Sequence, residues 1–305
     1  MPDEHLPLVR KQPKQQAEVG WVSRPFLACV FIPILLFLII FWMKSFWVFH
    51  LYPMVVNAAV ALAALVPLFA LLAVVRRSRR NRSIRWAGLG GVLSAAAILG
   101  GWMAGDANYW RHCKNYYEYQ DLAVYVNVNP DTDKGQSFMD AGEMYFSGGA
   151  RVDRSRAVAF KNGDLYCAAP IVTKEVDSPP PGQDSKPPIS GSQDFWAVGT
   201  NCCQPTGSNF VCPDTTNRLA RSGLRLIRDD VRPFYQMAAA QWESKFGIPV
   251  KHPLFFSWIQ DPKEIISGFW VAATRFFQVG TIAFCFLNVM AAVLTKAVLF
   301  DTILA

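Results

Sequence analysis

Charge is scarce in this chain, and so are the motifs that mark most enzymes. Only 17% of the 305 residues are charged, against roughly 25% in a typical soluble domain. The sequence has no Cys-x-x-Cys pair, no Gly-x-Ser-x-Gly motif and no glycine-rich phosphate loop, and its stretch from 106 to 275 holds only His112 and His252. These shortages argue against a zinc site, a serine hydrolase and a nucleotide-binding enzyme. We therefore expect a non-enzymatic protein without catalytic residues, metal or cofactor.

Apolar sequence is what the chain has in excess, with 52% hydrophobic residues and a mean hydropathy of +0.17. A bilayer core of roughly 30 Å is crossed by about 20 apolar helical residues. Four runs without a charged residue reach that length, namely Pro25–Met43, Leu51–Val75, Trp86–Gly105 and Phe276–Thr295. The sequence therefore predicts a membrane protein with four transmembrane helices.

The net charge of +7 is concentrated between the second and third apolar runs. The long segment from Asp106 to Arg275 is close to neutral, with 18 Lys/Arg and 19 Asp/Glu. The loop between the runs carries six arginines and no acid: Arg76, Arg77, Arg79, Arg80, Arg82 and Arg85. Because cytoplasmic loops collect Lys and Arg, this pattern predicts a cytoplasmic loop, and we expect no nucleic-acid partner.

This orientation divides the chain into four parts. Residues 1–24 are predicted to form a cytoplasmic tail, and 25–105 three transmembrane helices with the Arg-rich loop 76–85. Residues 106–275 form an extracytoplasmic domain, and 276–305 the fourth transmembrane helix and a short cytoplasmic tail. We expect an integral protein of the plasma membrane or an endomembrane.

The outer domain is predicted to be α+β, with strands in its first half and helices in its second. The β-branched and aromatic runs predict strands at Leu122–Val128, Ala157–Phe160, Leu165–Ala168 and Phe195–Gly199. Apolar spacing predicts helices at Asn217–Val231, at Phe234–Phe246 with Gly247 as its stop, and from Pro262 into the fourth span. Between the two halves, Thr173–Asp194 contains five prolines and reads as a long exposed loop.

Five arginines recur at helical spacing near the predicted helix Asn217–Val231. They are Arg218, Arg221, Arg225, Arg228 and Arg232. At this spacing they lie on one helix face. The first four are our candidate partner-binding residues, for an acidic protein partner or anionic lipid headgroups. The alternative is a solvated face balanced by Asp229, Asp230 and more distant carboxylates.

Five of the seven cysteines fall in the predicted outer domain, which indicates an oxidising compartment. A bridge between the adjacent Cys202 and Cys203 would be strained, so each is expected to pair elsewhere, with Cys167 and Cys212 as the natural partners. The sequence leaves open which pairs with which. Cys113 is left without an assigned partner, and it is either buried and free or bridged to another chain.

An acidic loop resembles part of a calcium-binding template. The segment Asn129–Asp140 places oxygen donors at positions 1, 3, 5, 9 and 12 of that template. Lys134 stands where the template has glycine, and Asp140 stands where it has glutamate. An Asn-Pro-Asp turn without metal explains the same residues, and we assign no metal ligand.

Two resemblances follow from these motifs. The order of four spans, a small first outer link and a large second outer loop with adjacent cysteines resembles tetraspanins in topology. The motifs MDAGEMYFSGGARVD, FKNGDLYCAAPI, FWAVGTNCC and HPLFFSWIQDP resemble an uncharacterised multi-pass membrane family of alveolate protists. The second resemblance implies a disulfide-bonded domain and no particular chemistry.

Together these features predict a scaffold or accessory subunit. We expect it to organise a protein partner through its outer domain and spans, in contact with membrane lipids. The alternative is a receptor-like or channel-accessory protein that binds a small ligand or calcium.

Overall fold

The computed structural model describes residues 24–76, 82–173 and 192–298, with the backbone alone for 82–85. The N-terminal tail, most of the Arg-rich loop, most of the proline-rich loop and the last residues of the C-terminal tail lie outside the described residues. What the sequence predicts for those segments stays a prediction.

Seven α-helices and eight β-strands make up the described chain. The helices are α1 Arg24–Ser45, α2 Trp47–Leu51, α3 Pro53–Arg76, α4 Arg82–Asn108, α5 Lys114–Gln120, α6 Arg232–Phe246 and α7 Pro262–Lys296. The strands are β1 Ala123–Val128, β2 Ala141–Phe146, β3 Arg151–Val152, β4 Val158–Asn162, β5 Asp164–Val172, β6 Phe195–Thr200, β7 Ser222–Arg225 and β8 Leu254–Ile259. A π-helical stretch, Tyr109–Cys113, joins α4 to α5.

Four continuous helical segments are long and apolar enough to span a membrane, as the sequence predicts. They are Arg24–Ser45, Pro53–Arg76, Trp86–Gln120 and Pro262–Lys296. The third of them joins α4, the π-helical stretch and α5. The second begins at Pro53 rather than at the predicted Leu51, because proline suits the first turn of a helix, where its missing N–H is not needed. The third and fourth run well past the predicted apolar segments, into the part of the chain that carries the sheet.

One compact unit is a helix bundle, drawn from the described residues 24–42, 54–76, 82–104 and 280–298. The rings of Phe37 and Phe284 stack with centroids 4.0 Å apart, which packs α1 against α7. On the same pair of helices, the buried Asn288 donates a hydrogen bond from Nδ2 to the carbonyl of Val30 at 2.9 Å. A Cβ at Gly101 would lie 3.0 Å from the Phe37 carbonyl oxygen, so this glycine allows close packing of α4 on α1.

The other compact unit comprises Met43–Pro53 and the described residues 105–173 and 192–279, and it contains an eight-stranded mixed sheet. The strand order is β1-β2-β7-β8-β6-β5-β3, and β4 pairs with β5. The pairs β1·β2 and β6·β8 are parallel, and the other pairs are antiparallel. The short segment between α1 and α3 therefore belongs to the same unit as the sheet.

Two aromatic cores cover the two faces of the sheet. Helix α6 packs on one face, where the Trp196 and Trp242 rings meet edge to face at 5.1 Å. The opposite face buries Phe146, Phe195 and Phe256 together with the disulfide-bonded region. Helix α6 ends as the sequence predicts, because Gly247 adopts the left-handed conformation and its N–H caps the Glu243 carbonyl.

The predicted helix Asn217–Val231 is wrong, and so is a purely helical second half. Residues Ser222–Arg225 form strand β7, which pairs with β2 on one side and β8 on the other. A Cβ at Gly223 would lie 2.7 Å from the Cβ of Phe256, so the tight fit against β8 depends on glycine there. Ladder hydrogen bonds to two strands outweigh a local apolar spacing that fits a helix equally well. Pro233 lies in the first turn of α6 rather than at the end of a preceding helix.

Candidate functional site

Both disulfides involve the loop between β6 and β7. One ties this loop to strand β5, and the other joins two positions within the loop. Cys167 in β5 is bonded to Cys203, and Cys202 to Cys212. These are the four cysteines for which the sequence predicts bridges, and the structure now gives the pairing. A Cβ at Gly199 would come within 2.5 Å of the Cys202 sulfur, so β6 packs directly on that bridge. Cys113 is fully buried and free.

Three cysteine sulfurs lie close enough together to resemble a metal-binding group. The sulfurs of Cys167, Cys202 and Cys212 all lie within 4.8 Å of one another. Each of them is consumed in a disulfide, however, and the thiolate is the form of cysteine that binds metal. The cluster is therefore the meeting point of two bridges.

The four candidate partner-binding arginines do not form one stripe. Arg218 and Arg221 are exposed in the loop before β7, and Arg225 is the last residue of β7. Arg228 follows the strand and binds Asp230, with Nη2 2.6 Å from Oδ2. The hydrogen bond to Asp230 raises the pKa of Arg228. The four arginines would share one face only in a helix, and strand β7 separates them instead.

One of the four, Arg225, lines a cavity of about 330 Å³ at an end of the sheet. The cavity lies where β1 and β2 begin and β7 ends, and helices α5 and α6 also contribute to its wall. Its lining residues are Glu118, Leu122, Met139, Ala141, Arg225, Ile227, Asp229 and Arg232. Two guanidinium groups, two carboxylates and four apolar side chains thus share one small space.

Arg225 is the least well-compensated charge in this cavity. Its Nη1 atom is buried and has no hydrogen-bond partner among the described residues. Burial, together with the nearby positive charge of Arg232, lowers the pKa of Arg225 to about 10. Arg232 itself binds Asp229 at 2.9 Å. A buried cation without a partner is costly unless a counter-charge reaches it.

Strand β1 is an open edge of the sheet. It pairs with β2 alone among the described strands, and Val124 and Val126 expose 50% and 71% of their surface. Met139, just before β2, exposes 56%. The strand sequence AVYVNV has no charge and no proline, which are the usual protections of a free edge. Register irregularities flank Val124–Val126, which pair regularly with Glu143–Tyr145.

The oxygens of the acidic loop Asn129–Asp140 are used within the fold. The Asn129 amide oxygen accepts hydrogen bonds from the Asp131 N–H and the Thr173 hydroxyl, which also donates to Asp131. Asp133 accepts from the Asn129 N–H, and Asp140 accepts from the Tyr125 hydroxyl. The segment is a turn anchored to Thr173, at the end of β5.

A polar cluster centred on His50 has no counterpart among the features predicted from the sequence. Nδ1 of His50 lies 3.1 Å from the Tyr109 hydroxyl, and Nε2 lies 3.1 Å from Asp121 Oδ2. The imidazole ring also stacks on Tyr117 at 4.8 Å. His50 lies in a short link between two apolar runs, and no local pattern indicates that this link folds with residues more than 50 positions away.

Comparison with known proteins adds no relative to this description. No protein-family model matches the chain, and the comparisons with curated proteins and with solved structures found no match either.

Proposed function

We propose that this chain is an integral membrane protein with four spans and its sheet domain on the extracytoplasmic side. In this arrangement both termini and the Arg-rich loop 76–85 face the cytoplasm, and the membrane is the plasma membrane or an endomembrane. Two observations support it: six arginines between the second and third apolar runs, and two disulfides in the sheet domain, which persist in oxidising compartments.

Within that membrane the proposed function is that of a non-enzymatic scaffold or accessory subunit. Membrane lipids surround its spans, and its sheet domain binds a protein partner. The observation that carries this proposal is the uncharged open edge of β1, with Val124 and Val126 exposed. We assign the protein no catalytic step.

The proposed mode of binding is the addition of a partner strand to β1. An open edge presents unpaired N–H and C=O groups, which a strand from another chain can satisfy. In that mode main-chain hydrogen bonds supply affinity, and alternate side chains supply specificity. The side chains of Val124 and Val126, two positions apart, project to one face of the strand. They would then meet apolar side chains of the partner.

Val126→Lys tests this proposal, because an edge lysine opposes strand pairing. The protein is extracted from its native membrane in mild detergent, and the size of its complex is measured on a native gel. We expect the wild type to migrate above the size of the single chain, and the variant to migrate at it. Val211→Lys is the control, because Val211 is also an exposed valine, at 48%, but lies outside the edge strand. A complex that survives Val126→Lys, or that both variants break equally, would contradict strand addition at β1.

The alternative function, a receptor-like protein that binds a small ligand, is supported by a separate observation. That observation is the cavity at Arg225, which charged and apolar side chains line together.

A further inference from the structure

Arg225 brings a partly buried positive charge to a cavity that the fold leaves open. Its Nη1 atom has no hydrogen-bond partner among the described residues, and its backbone is fixed by β7, which pairs with β2 and β8. The Tyr119 hydroxyl donates to the Arg225 carbonyl at 2.8 Å, which holds the end of the strand against α5. The strand therefore holds Arg225 beside the cavity, and its guanidinium forms no ion pair with a carboxylate among the described residues, so a ligand in the cavity could supply a counter-charge.

The other charges around the cavity are already paired. Arg232 binds Asp229 at 2.9 Å, and Lys114 binds Glu118 at 3.5 Å. Setting these two pairs aside leaves the single positive charge of Arg225. A ligand with one negative charge would neutralise it. A doubly charged phosphate would bring one negative charge more than Arg225 balances.

The size and the lining of the cavity limit further which ligands can bind. Its volume of about 330 Å³ is at the lower end of the range of about 300–1,000 Å³ for small-molecule sites. Leu122, Met139, Ala141 and Ile227 supply apolar surface beside the charge. We infer that this cavity binds a carboxylate that carries a short apolar chain, with the carboxylate paired to Arg225.

Such a carboxylate has two sources. It is either a free small organic acid or the side chain of an aspartate or glutamate on a partner protein. Guanidinium groups recognise both in the same way, through charge-assisted hydrogen bonds to the two oxygens. The inference does not depend on strand addition at β1, because Val126 is not among the residues that line the cavity.

Equilibrium dialysis of the full chain in detergent micelles tests the inference with two probes. Pentanoate represents a free acid, and the α-amide of N-acetylglutamate represents a protein side chain. We expect saturable binding of at least one probe, and none of the uncharged pentanamide. Pentanoate binding would indicate a free acid, and binding of the glutamate derivative alone would indicate a partner's side chain. Saturable binding of neither acid would overturn the inference.

Arg225→Gln should weaken binding of whichever acid probe binds the wild type by about tenfold or more, because it removes a hydrogen bond to a charged group. Arg218→Gln is the matched control, since Arg218 is exposed and does not line the cavity. Unchanged affinity in Arg225→Gln would overturn the inference.

A second pair of variants guards against misfolding of Arg225→Gln. Met139 is exposed where it lines the cavity, so Met139→Trp should obstruct it without disturbing the core. Met237→Trp, at a similarly exposed methionine on α6 outside the cavity, is the control. Equal affinity in these two variants would also count against the site.

Discussion

His50 and Asp121 are 71 positions apart in the chain, yet His50 Nε2 lies 3.1 Å from Asp121 Oδ2. The other ring nitrogen bonds the Tyr109 hydroxyl, and the ring stacks on Tyr117. A second contact lies next to this link, where the buried Lys44 at the end of α1 bonds Asp106 at 2.9 Å. The short segment between the first two apolar helices is therefore a structural part of the sheet-containing unit.

The first prediction concerns how His50 holds this link. His50→Ala removes a stack and two hydrogen bonds of a half-buried ring, and we expect a loss of about 1–2 kcal/mol in the free energy of unfolding. Asp121→Asn changes only the contact of the ring with an exposed carboxylate, so its cost should stay below about 1 kcal/mol. Chemical denaturation of both variants, followed by tryptophan fluorescence, measures the difference. Equal costs would show that the ring contacts do not stabilise the link.

The second prediction concerns the two disulfides. Replacing a bonded pair by serines should cost about 2–5 kcal/mol. The Cys167–Cys203 bond spans 36 positions and the Cys202–Cys212 bond spans 10. On the chain-entropy account, loss of the wider loop costs about 1 kcal/mol more. Urea denaturation of the two double variants gives the order. Non-reducing peptide mapping should recover the same two pairs, and free thiols at these positions would contradict the fold.

The third prediction is a pH dependence at Asp153. Burial alone would raise the pKa of Asp153, but hydrogen bonds from Ser155 and Arg156 and the charge of Arg156 outweigh it and lower the pKa. The carboxylate therefore contributes stability above its ordinary pKa of 3.8, and this is lost as the pH falls through the lower folded value.

Denaturation curves recorded across the acid range check this dependence. Asp153→Asn should flatten the acid part of the stability profile, and Ser155→Ala should shift it partway. An unchanged acid profile in Asp153→Asn would rule out this assignment.

The fourth prediction separates stability from binding at Arg225. Its buried Nη1 has no partner among the described residues, and such a group costs about 1–3 kcal/mol. Arg225→Met removes the charge, together with the guanidinium that lies 5.8 Å from the centroid of the Phe256 ring. We expect the free energy of unfolding to rise by on the order of 1 kcal/mol, while carboxylate binding is lost. A destabilised variant would mean that the guanidinium is already satisfied in the folded protein.

Local sequence patterns predict a large part of this fold. Three of the four apolar runs lie within one helix, and the run Leu51–Val75 does so from Pro53 on, because length without charge is a strong signal. The strands β1, β4, β5 and β6 overlap predicted runs, and α6 ends at the predicted Gly247. These features depend on residues that are neighbours in the chain.

The rest depends on contacts between distant residues. Strand β7 has four residues, and its position between β2 and β8 decides its conformation. The cavity at Arg225 exists because α5, β2 and α6 meet the end of that strand. The open edge of β1 follows from the strand order, which no spacing along the chain indicates. The arginine spacing therefore fits a helix face that the fold does not form, and of the five arginines Arg225 and Arg232 line the cavity.

The central claim, that four spans place the sheet domain opposite the Arg-rich loop, is tested most directly by protease protection. One epitope tag is inserted into loop 76–85 and another into loop 173–194, and sealed vesicles of known orientation are treated with protease. We predict that the tag in 173–194 is cleaved only from the extracytoplasmic side, and the tag in 76–85 only from the cytoplasmic side. Cleavage of both tags from the same side would contradict the four-span arrangement.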